Sequence, residues 1–118
     1  MGATIAVISC FGRRQDVAVL PIHRVRIIGP SMEPVLRNGD WWLAIPRRRY
    51  RAGDVVLVRH PVRPELTLVK RLAERRESGW WVLGDNPRSS DDSRAFGSIP
   101  DSHVVARLVF RYRPLYRG

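Results

Sequence analysis

Two residues in this sequence, Ser31 and Lys70, have the chemistry and the surroundings needed for nucleophilic catalysis. Ser31 follows Gly29 and Pro30 in the stretch IGPSMEP, where a tight turn after a strand directs the serine hydroxyl and backbone N–H outward. A hydroxyl in such a position can attack a carbonyl carbon, and the N–H can donate to the oxyanion that forms. Serines in Gly/Pro turns usually only form the turn, so Ser31 alone is a weak signal.

Lys70 is the only lysine among the 21 Lys and Arg residues, and it lies in the apolar stretch TLVKRL. Strand alternation would place its side chain on the same side as Leu68 and Leu72, toward the interior. An arginine would stay charged there, whereas an ammonium in apolar surroundings can lose its proton. A general base near neutral pH requires a lysine pKa lowered from about 10.4 to about 7 or 8, and desolvation is a sufficient cause.

Short strands separated by turns are predicted to position these two residues. Segments rich in β-branched and aromatic residues alternate with Gly and Pro signals, which favours an all-β fold, a coiled sheet or barrel with little helix. Only residues 73–77 are predicted to form a helical turn. Residues 24–118 are predicted to form a single domain, preceded by an N-terminal extension or first hairpin over residues 1–23. The predicted strands cover residues 25–28, 41–45, 54–60, 66–72, 80–83 and 104–112.

The composition is basic, with a formal net charge of +10 and a pI near 11.4. This charge would attract nucleic acid, lipid headgroups or an acidic protein, and by itself it selects none of them. The run RRRYR at residues 47–51 is predicted to be a solvated loop, with a nucleic-acid or acidic-substrate contact as the alternative. We expect no nucleic-acid partner.

The cysteine and histidine content gives no sign of a metal site or an internal disulfide. Cys10 is the single cysteine, and the three histidines are far apart in sequence. The most apolar early segment, residues 5–11, is too short for a membrane-spanning helix, which needs about 20 apolar residues.

Four segments resemble, in order and spacing, the sequence boxes of the signal peptidase type I family of serine proteases. They are GPSMEPVLRNGD, GDVVLVRHP, LVKRL and LGDNPRSSDDSRAFGSIP. The resemblance implies the catalytic core of that family and a serine endopeptidase with a Ser–Lys dyad that needs no metal or cofactor. It assigns Ser31 as the nucleophile and Lys70 as the general base. Ser90 would be the second serine, whose hydroxyl orients the lysine amine.

The resemblance also implies structural roles near the site. Asp92 and Arg94 would brace a loop that starts with Gly84, Asp85 and Asn86, although Asp85 and Asn86 could equally only form a local turn. The chain departs from the family in two places: it has Gly29 where some members have a serine in the oxyanion hole, and Pro87 where an arginine is common. The N–H of Ser31 would then be the main oxyanion donor. The residues predicted to shape the site are Gly29, Pro30, Met32, Pro34, Gly84, Asp85, Asn86, Asp92 and Arg94.

Within this family the chain looks most like the small soluble nickel-type superoxide dismutase maturation proteases, which remove an N-terminal extension from the dismutase precursor. That implies a cytoplasmic enzyme with a precursor protein as substrate. One alternative is a signal peptidase I-like enzyme that cleaves exported precursors and associates peripherally with a membrane.

Two other classes are less favoured. Self-cleaving repressors share the dyad, but they cut at an Ala-Gly or Cys-Gly bond upstream of the serine, and no such bond precedes Ser31. A non-catalytic basic binding module would depend on the net charge and on residues 47–51.

Overall fold

Antiparallel β-strands form most of the protein. The computed structural model describes residues 5–11, 22–89 and 91–113. The all-β prediction is confirmed: besides the strands, the described residues contain one short α-helix and two 3₁₀ turns, Pro87–Ser89 and Asp101–His103. The elements are β1 (Ile5–Phe11), β2 (Ile22–Ile28), β3 (Trp41–Ile45), β4 (Val55–Arg59), β5 (Thr67–Arg76), β6 (Gly79–Leu83), α1 (Ser93–Phe96) and β7 (Val104–Arg113).

The strands pair in the order β1-β2-β3-β7-β4-β5-β6, and β1 pairs in addition with β5. That extra pairing, between Ile5 and Leu68, closes six strands into a small barrel. β6 extends from β5 beyond the closure, through pairs such as Arg71 with Leu83 and Leu72 with Val82. The long strand β5 therefore contributes to the barrel wall and also carries an outer ribbon.

Two apolar clusters lie on opposite faces of β4 and β5. Alternation along β5 sends Val69 to the first cluster and Leu68 and Leu72 to the second. Lys70 has the same parity as Leu68 and Leu72, so it faces the second cluster. The first cluster comprises Val25, Ile27, Met32, Leu36, Ala44, Leu57, Val69, Ala106 and Leu108, and the second comprises Val56, Val58, Leu68, Leu72, Trp80, Val82 and Ile99.

The predicted helical turn at residues 73–77 is wrong. β5 continues to Arg76, and Glu74 pairs with Trp81 after a register shift that leaves Ala73 as a bulge. The local preference for helix yields here to pairing with β6, which gives these residues a partner strand and cross-strand contacts. The helix forms instead at α1, where the carboxylate of Asp92 caps the first turn by accepting from the Arg94 N–H.

Candidate active site

Ser31 and Lys70 lie next to each other, although 39 positions separate them in sequence. The Lys70 Nζ is 3.3 Å from the Ser31 Oγ, within hydrogen-bond distance. Lys70 comes from the middle of β5, and Ser31 comes from the turn that follows β2. Both residues are fully buried, with 0% of their surface exposed to solvent. The arrangement brings a hydroxyl and an amine together in a site that excludes water.

The Ser31 turn depends on a glycine and on an anchoring side chain. Gly29 has a φ of +94°, a conformation that favours glycine over other residues. Its N–H donates to the Asn38 Oδ1 at 2.9 Å, so that N–H is already occupied. Met32 is buried in the first apolar cluster and holds the turn from below. Pro34, which follows a cis peptide bond, lies on the exposed side of the turn.

The surroundings of Lys70 favour a neutral amine. Leu68 and Leu72 flank it on β5, and Val56 is directly across from it on β4. Burial lowers the pKa of Lys70 from 10.5 to about 8. Charges near the amine act in both directions, since Asp92 and Asp91 raise this pKa and Arg94 lowers it. Desolvation is the largest of these effects, so a substantial fraction of the amine is unprotonated near pH 8.

A buried ion pair supports the loop between β6 and α1. Asp92 is 1% exposed, and its Oδ2 accepts from the Gly84 N–H at 3.0 Å. The Arg94 guanidinium donates to both oxygens of the same carboxylate, with Nε 2.9 Å from Oδ1 and Nη2 2.6 Å from Oδ2. The two ends of the loop are therefore tied to one carboxylate. Ser90 lies within this loop and outside the described residues.

The start of this loop is joined to the nucleophile turn by three contacts. The Asn86 backbone N–H donates to the Ser31 carbonyl at 2.7 Å, and its side-chain amide donates to the Pro30 carbonyl at 3.1 Å. The Asp85 N–H is 3.4 Å from the Met32 sulfur, which accepts weakly. Because two of these contacts reach carbonyls on either side of the Ser31 N–H, they fix the backbone from which the hydroxyl and that N–H project.

Arg71 holds the other side of the same loop, and the sequence reasoning missed it. Its Nε and Nη2 donate to the two carboxylate oxygens of Asp85 at 2.9 and 2.8 Å, and its Nη1 donates to the Gly53 carbonyl at 2.8 Å. Strand alternation gives a signal for this residue, because the neighbour of an inward-facing Lys70 must face the opposite side of β5. The Asp85 partner could not be inferred, since it lies 14 positions away on the other side of a turn.

The Ser31 N–H is available as a donor. Among residues 5–11, 22–89 and 91–113 it makes no hydrogen bond, while the Ser31 carbonyl is taken by Asn86. The site thus combines a hydroxyl, an amine of lowered pKa and a backbone N–H beside the hydroxyl. These are the groups that acyl transfer at a serine requires.

Residues 17–109, most of the chain, match the Peptidase S24-like family. The chain belongs to that family of serine proteases. This S24-like chain is 31% identical over 111 residues to the human mitochondrial inner membrane protease subunit 1, an alignment that covers 74% of this chain and 67% of the human protein. The Xenopus tropicalis subunit 1 is 30% identical over 111 residues, with coverage of 74% and 66%.

A relative named as a second subunit is also similar. The Schizosaccharomyces pombe mitochondrial inner membrane protease subunit 2 is 29% identical over 117 residues, covering 78% of this chain and 65% of that protein. The S24-like chain spans about two thirds of the length of the curated relatives that it matches. Within its described part, neither the length nor the apolar character of any helix would allow it to cross a bilayer.

Proposed function

We propose that this chain is a serine endopeptidase that uses a Ser31–Lys70 dyad to process precursor proteins. The observation that carries the proposal is the 3.3 Å approach of the Lys70 Nζ to the Ser31 Oγ inside an apolar enclosure. Membership of a serine protease family agrees with this chemistry.

The mechanism follows from the three groups at the site. Neutral Lys70 accepts the Ser31 proton while the Oγ attacks the scissile carbonyl carbon. The tetrahedral oxyanion accepts a hydrogen bond from the Ser31 N–H. The Lys70 ammonium then gives its proton to the departing amine, which leaves an acyl-serine. In the second half Lys70 takes a proton from water, the hydroxide attacks the ester, and the proton returns to the Ser31 Oγ.

The surrounding residues act through these groups. Asn86 fixes the Ser31 backbone, Asp85 is held by Arg71, and Asp92 with Arg94 closes the loop next to the amine. We assign all of them positioning roles. For Ser90 the role suggested by the family resemblance, orientation of the lysine amine, stays a prediction.

Substrate entry requires a local opening. Because Ser31 and Lys70 have no exposed surface, a peptide carbonyl can reach the Oγ only if neighbouring atoms move aside. Closure in the free enzyme would keep water away from the amine and preserve its low pKa.

The similarity to inner membrane protease subunits favours a signal-peptidase-like substrate, a precursor cleaved at a membrane with which the chain associates. The nickel-type superoxide dismutase precursor and a cytoplasmic location are the narrower hypothesis from the sequence, and no relative named above carries that description. Both substrates present an N-terminal extension, so one assay can compare them.

The test incubates purified protein with two precursors, an exported protein that carries its signal peptide and a nickel-type dismutase with its extension. Ser31→Ala and Lys70→Arg are each expected to abolish cleavage, while Ser78→Ala, a substitution at an exposed serine, leaves the rate unchanged. Lys70→Arg is the sharper variant because it keeps a cation and removes the titratable base. Turnover that survives in Lys70→Arg would rule out the dyad mechanism. The precursor that is cut decides between the two substrates.

A further inference from the structure

The basic run at residues 47–51 is divided by the structure. Arg47 and Arg48 line an open cleft of about 630 Å³, and Arg49 is not among the lining residues. Tyr50 packs against the second apolar cluster and also forms part of the cleft wall. The Arg47 N–H donates to the Tyr50 hydroxyl at 3.0 Å, which fixes the backbone of the run over the cleft. The run is therefore only partly a solvated loop.

Positive charge in the cleft is only partly compensated. Arg75, a third lining arginine, donates to Asp101 through Nη2 at 2.8 Å and through Nη1, and its guanidinium lies 5.4 Å from the centre of the Trp80 ring. Asp101 is the single acidic residue of the lining. Arg47 and Arg48 are exposed, and within the described residues neither has a carboxylate partner. Two uncompensated guanidinium groups at a concave surface attract an anion.

The shape and the aromatic lining indicate which anion. Trp80 is only 8% exposed and lies beneath Arg75, so it offers no open face on which a nucleobase could stack. The strongly exposed apolar side chains Val35, Val62 and Phe110 lie outside the cleft, so insertion of apolar groups into a bilayer would not engage it. Carboxylate side chains are small enough to enter and match the donor pattern of arginine.

We propose that this cleft is a second binding site of the peptidase and takes an acidic segment of the polypeptide substrate. The inference rests on the proposed function, because it assumes that the substrate is a polypeptide. It gives the substrate a property beyond the cleavage sequence, namely aspartate or glutamate residues at a distance from the scissile bond.

That distance follows from β5, which runs from the dyad to the cleft. Arg75 is five residues after Lys70 on this strand, or about 16 Å at about 3.3 Å per residue. An extended substrate therefore needs at least about five residues between the scissile bond and its acidic segment. A short peptide that contains only the cleavage sequence cannot reach the cleft.

The experiment compares three substrates with one cleavage sequence: a short peptide, a long peptide with an acidic cluster eight to ten residues from the scissile bond, and the same long peptide with glutamines in the cluster. The cluster is placed on either side of the bond in separate peptides. The double variant Arg47→Glu/Arg48→Glu is compared with Arg49→Glu/Arg51→Glu, which makes the same charge change at exposed arginines of the same run outside the cleft lining.

The expected result is a roughly tenfold rise in KM for the acidic substrate in the cleft variant, since two lost surface ion pairs are worth about 1–2 kcal/mol. Its kcat and its activity on the short peptide stay unchanged, and the control double variant behaves like the wild type. An equal rise in KM in both double variants would overturn the proposal, as would a wild-type KM that does not distinguish acidic from glutamine peptides.

A binding measurement separates the cleft from the catalytic proposal. Fluorescence anisotropy of the labelled acidic peptide with the Ser31→Ala protein is expected to show binding that weakens in the Arg47→Glu/Arg48→Glu background. This readout tests the cleft even if no substrate is cleaved. Binding of anionic vesicles or of an oligonucleotide that depends on Arg47 and Arg48, without binding of the acidic peptide, would assign the cleft to another partner and overturn the inference.

Discussion

Replacing Lys70 with methionine tests the central physical claim, that the folded protein disfavours a charged amine at this position. The pKa of Lys70 falls from 10.5 to about 8 because of burial. At pH 7 the lysine is charged in both states, and that difference corresponds to a cost of about 3 kcal/mol in the free energy of folding. Methionine removes this cost and fills a similar volume, but it leaves the Ser31 Oγ without the amine at 3.3 Å, a loss of about 1 kcal/mol.

Lys70→Met is therefore expected to raise the free energy of unfolding at pH 7 by about 2 kcal/mol while abolishing activity. The gain depends on pH in a defined direction. A lysine whose pKa is lower in the folded state makes the wild type gain stability as pH rises from about 8 to 10.5, where the folded amine is already neutral and the unfolded amine is losing its proton. Above pH 10.5 both amines are neutral, and the variant should be about 1 kcal/mol less stable than the wild type.

Urea unfolding of the wild type, Lys70→Met and Ser31→Ala at a series of pH values measures these differences. Ser31→Ala keeps the buried amine, so its stability should follow the same pH dependence as the wild type between pH 8 and 10.5. A Lys70→Met difference that stays constant from pH 7 to pH 10.5, or a variant less stable than the wild type at pH 7, would refute the argument that desolvation controls this lysine.

Three further perturbations have defined outcomes. In wild type kcat/KM should rise with pH around an apparent pKa of about 8, and Arg94→Gln should move that limb to higher pH because Arg94 lowers the pKa of Lys70; a shift to lower pH would contradict this electrostatic role. Asn86→Ala removes the amide bond to the Pro30 carbonyl and should lower kcat about tenfold with KM unchanged; an effect confined to KM would show that Asn86 does not position the nucleophile. Gly79→Ala should lower the free energy of unfolding by more than about 3 kcal/mol, because its Cβ would lie 2.0 Å from the Ile99 carbonyl oxygen at a φ of +137°; a loss below about 1 kcal/mol in urea unfolding would refute the clash.

The sequence predicted the site residues on β5 better than their partners. Alternation alone placed Lys70 beside Leu68 and Leu72, because period-two geometry is local to one strand. The meeting with Ser31 came from the family resemblance, since no rule of spacing connects two residues 39 positions apart. The barrel closure between Ile5 and Leu68 was equally inaccessible, because pairing partners are selected by the whole fold.

Errors arose where local preference and tertiary pairing disagree. The segment that starts at Ala73 contains good helix formers, yet its residues up to Arg76 belong to β5 because β6 provides a partner strand. The single-turn helix α1 is too short to show a helical period, and its only local signal is the capping carboxylate of Asp92. Arg71 was overlooked because its importance depends on the loop that brings Asp85 back to β5.

Burial of the only lysine has a practical consequence for covalent modification of the protein. With 0% of Lys70 exposed, the folded chain presents no lysine ammonium to acylating or cross-linking reagents. The unprotonated amine is the reactive form, and Lys70 has more of it near pH 8 than an ordinary lysine, so access limits its acylation. Incorporation of an acetyl group at position 70, followed by mass spectrometry, would therefore count the moments at which the enclosure opens, and a peptide that occupies the site should slow it.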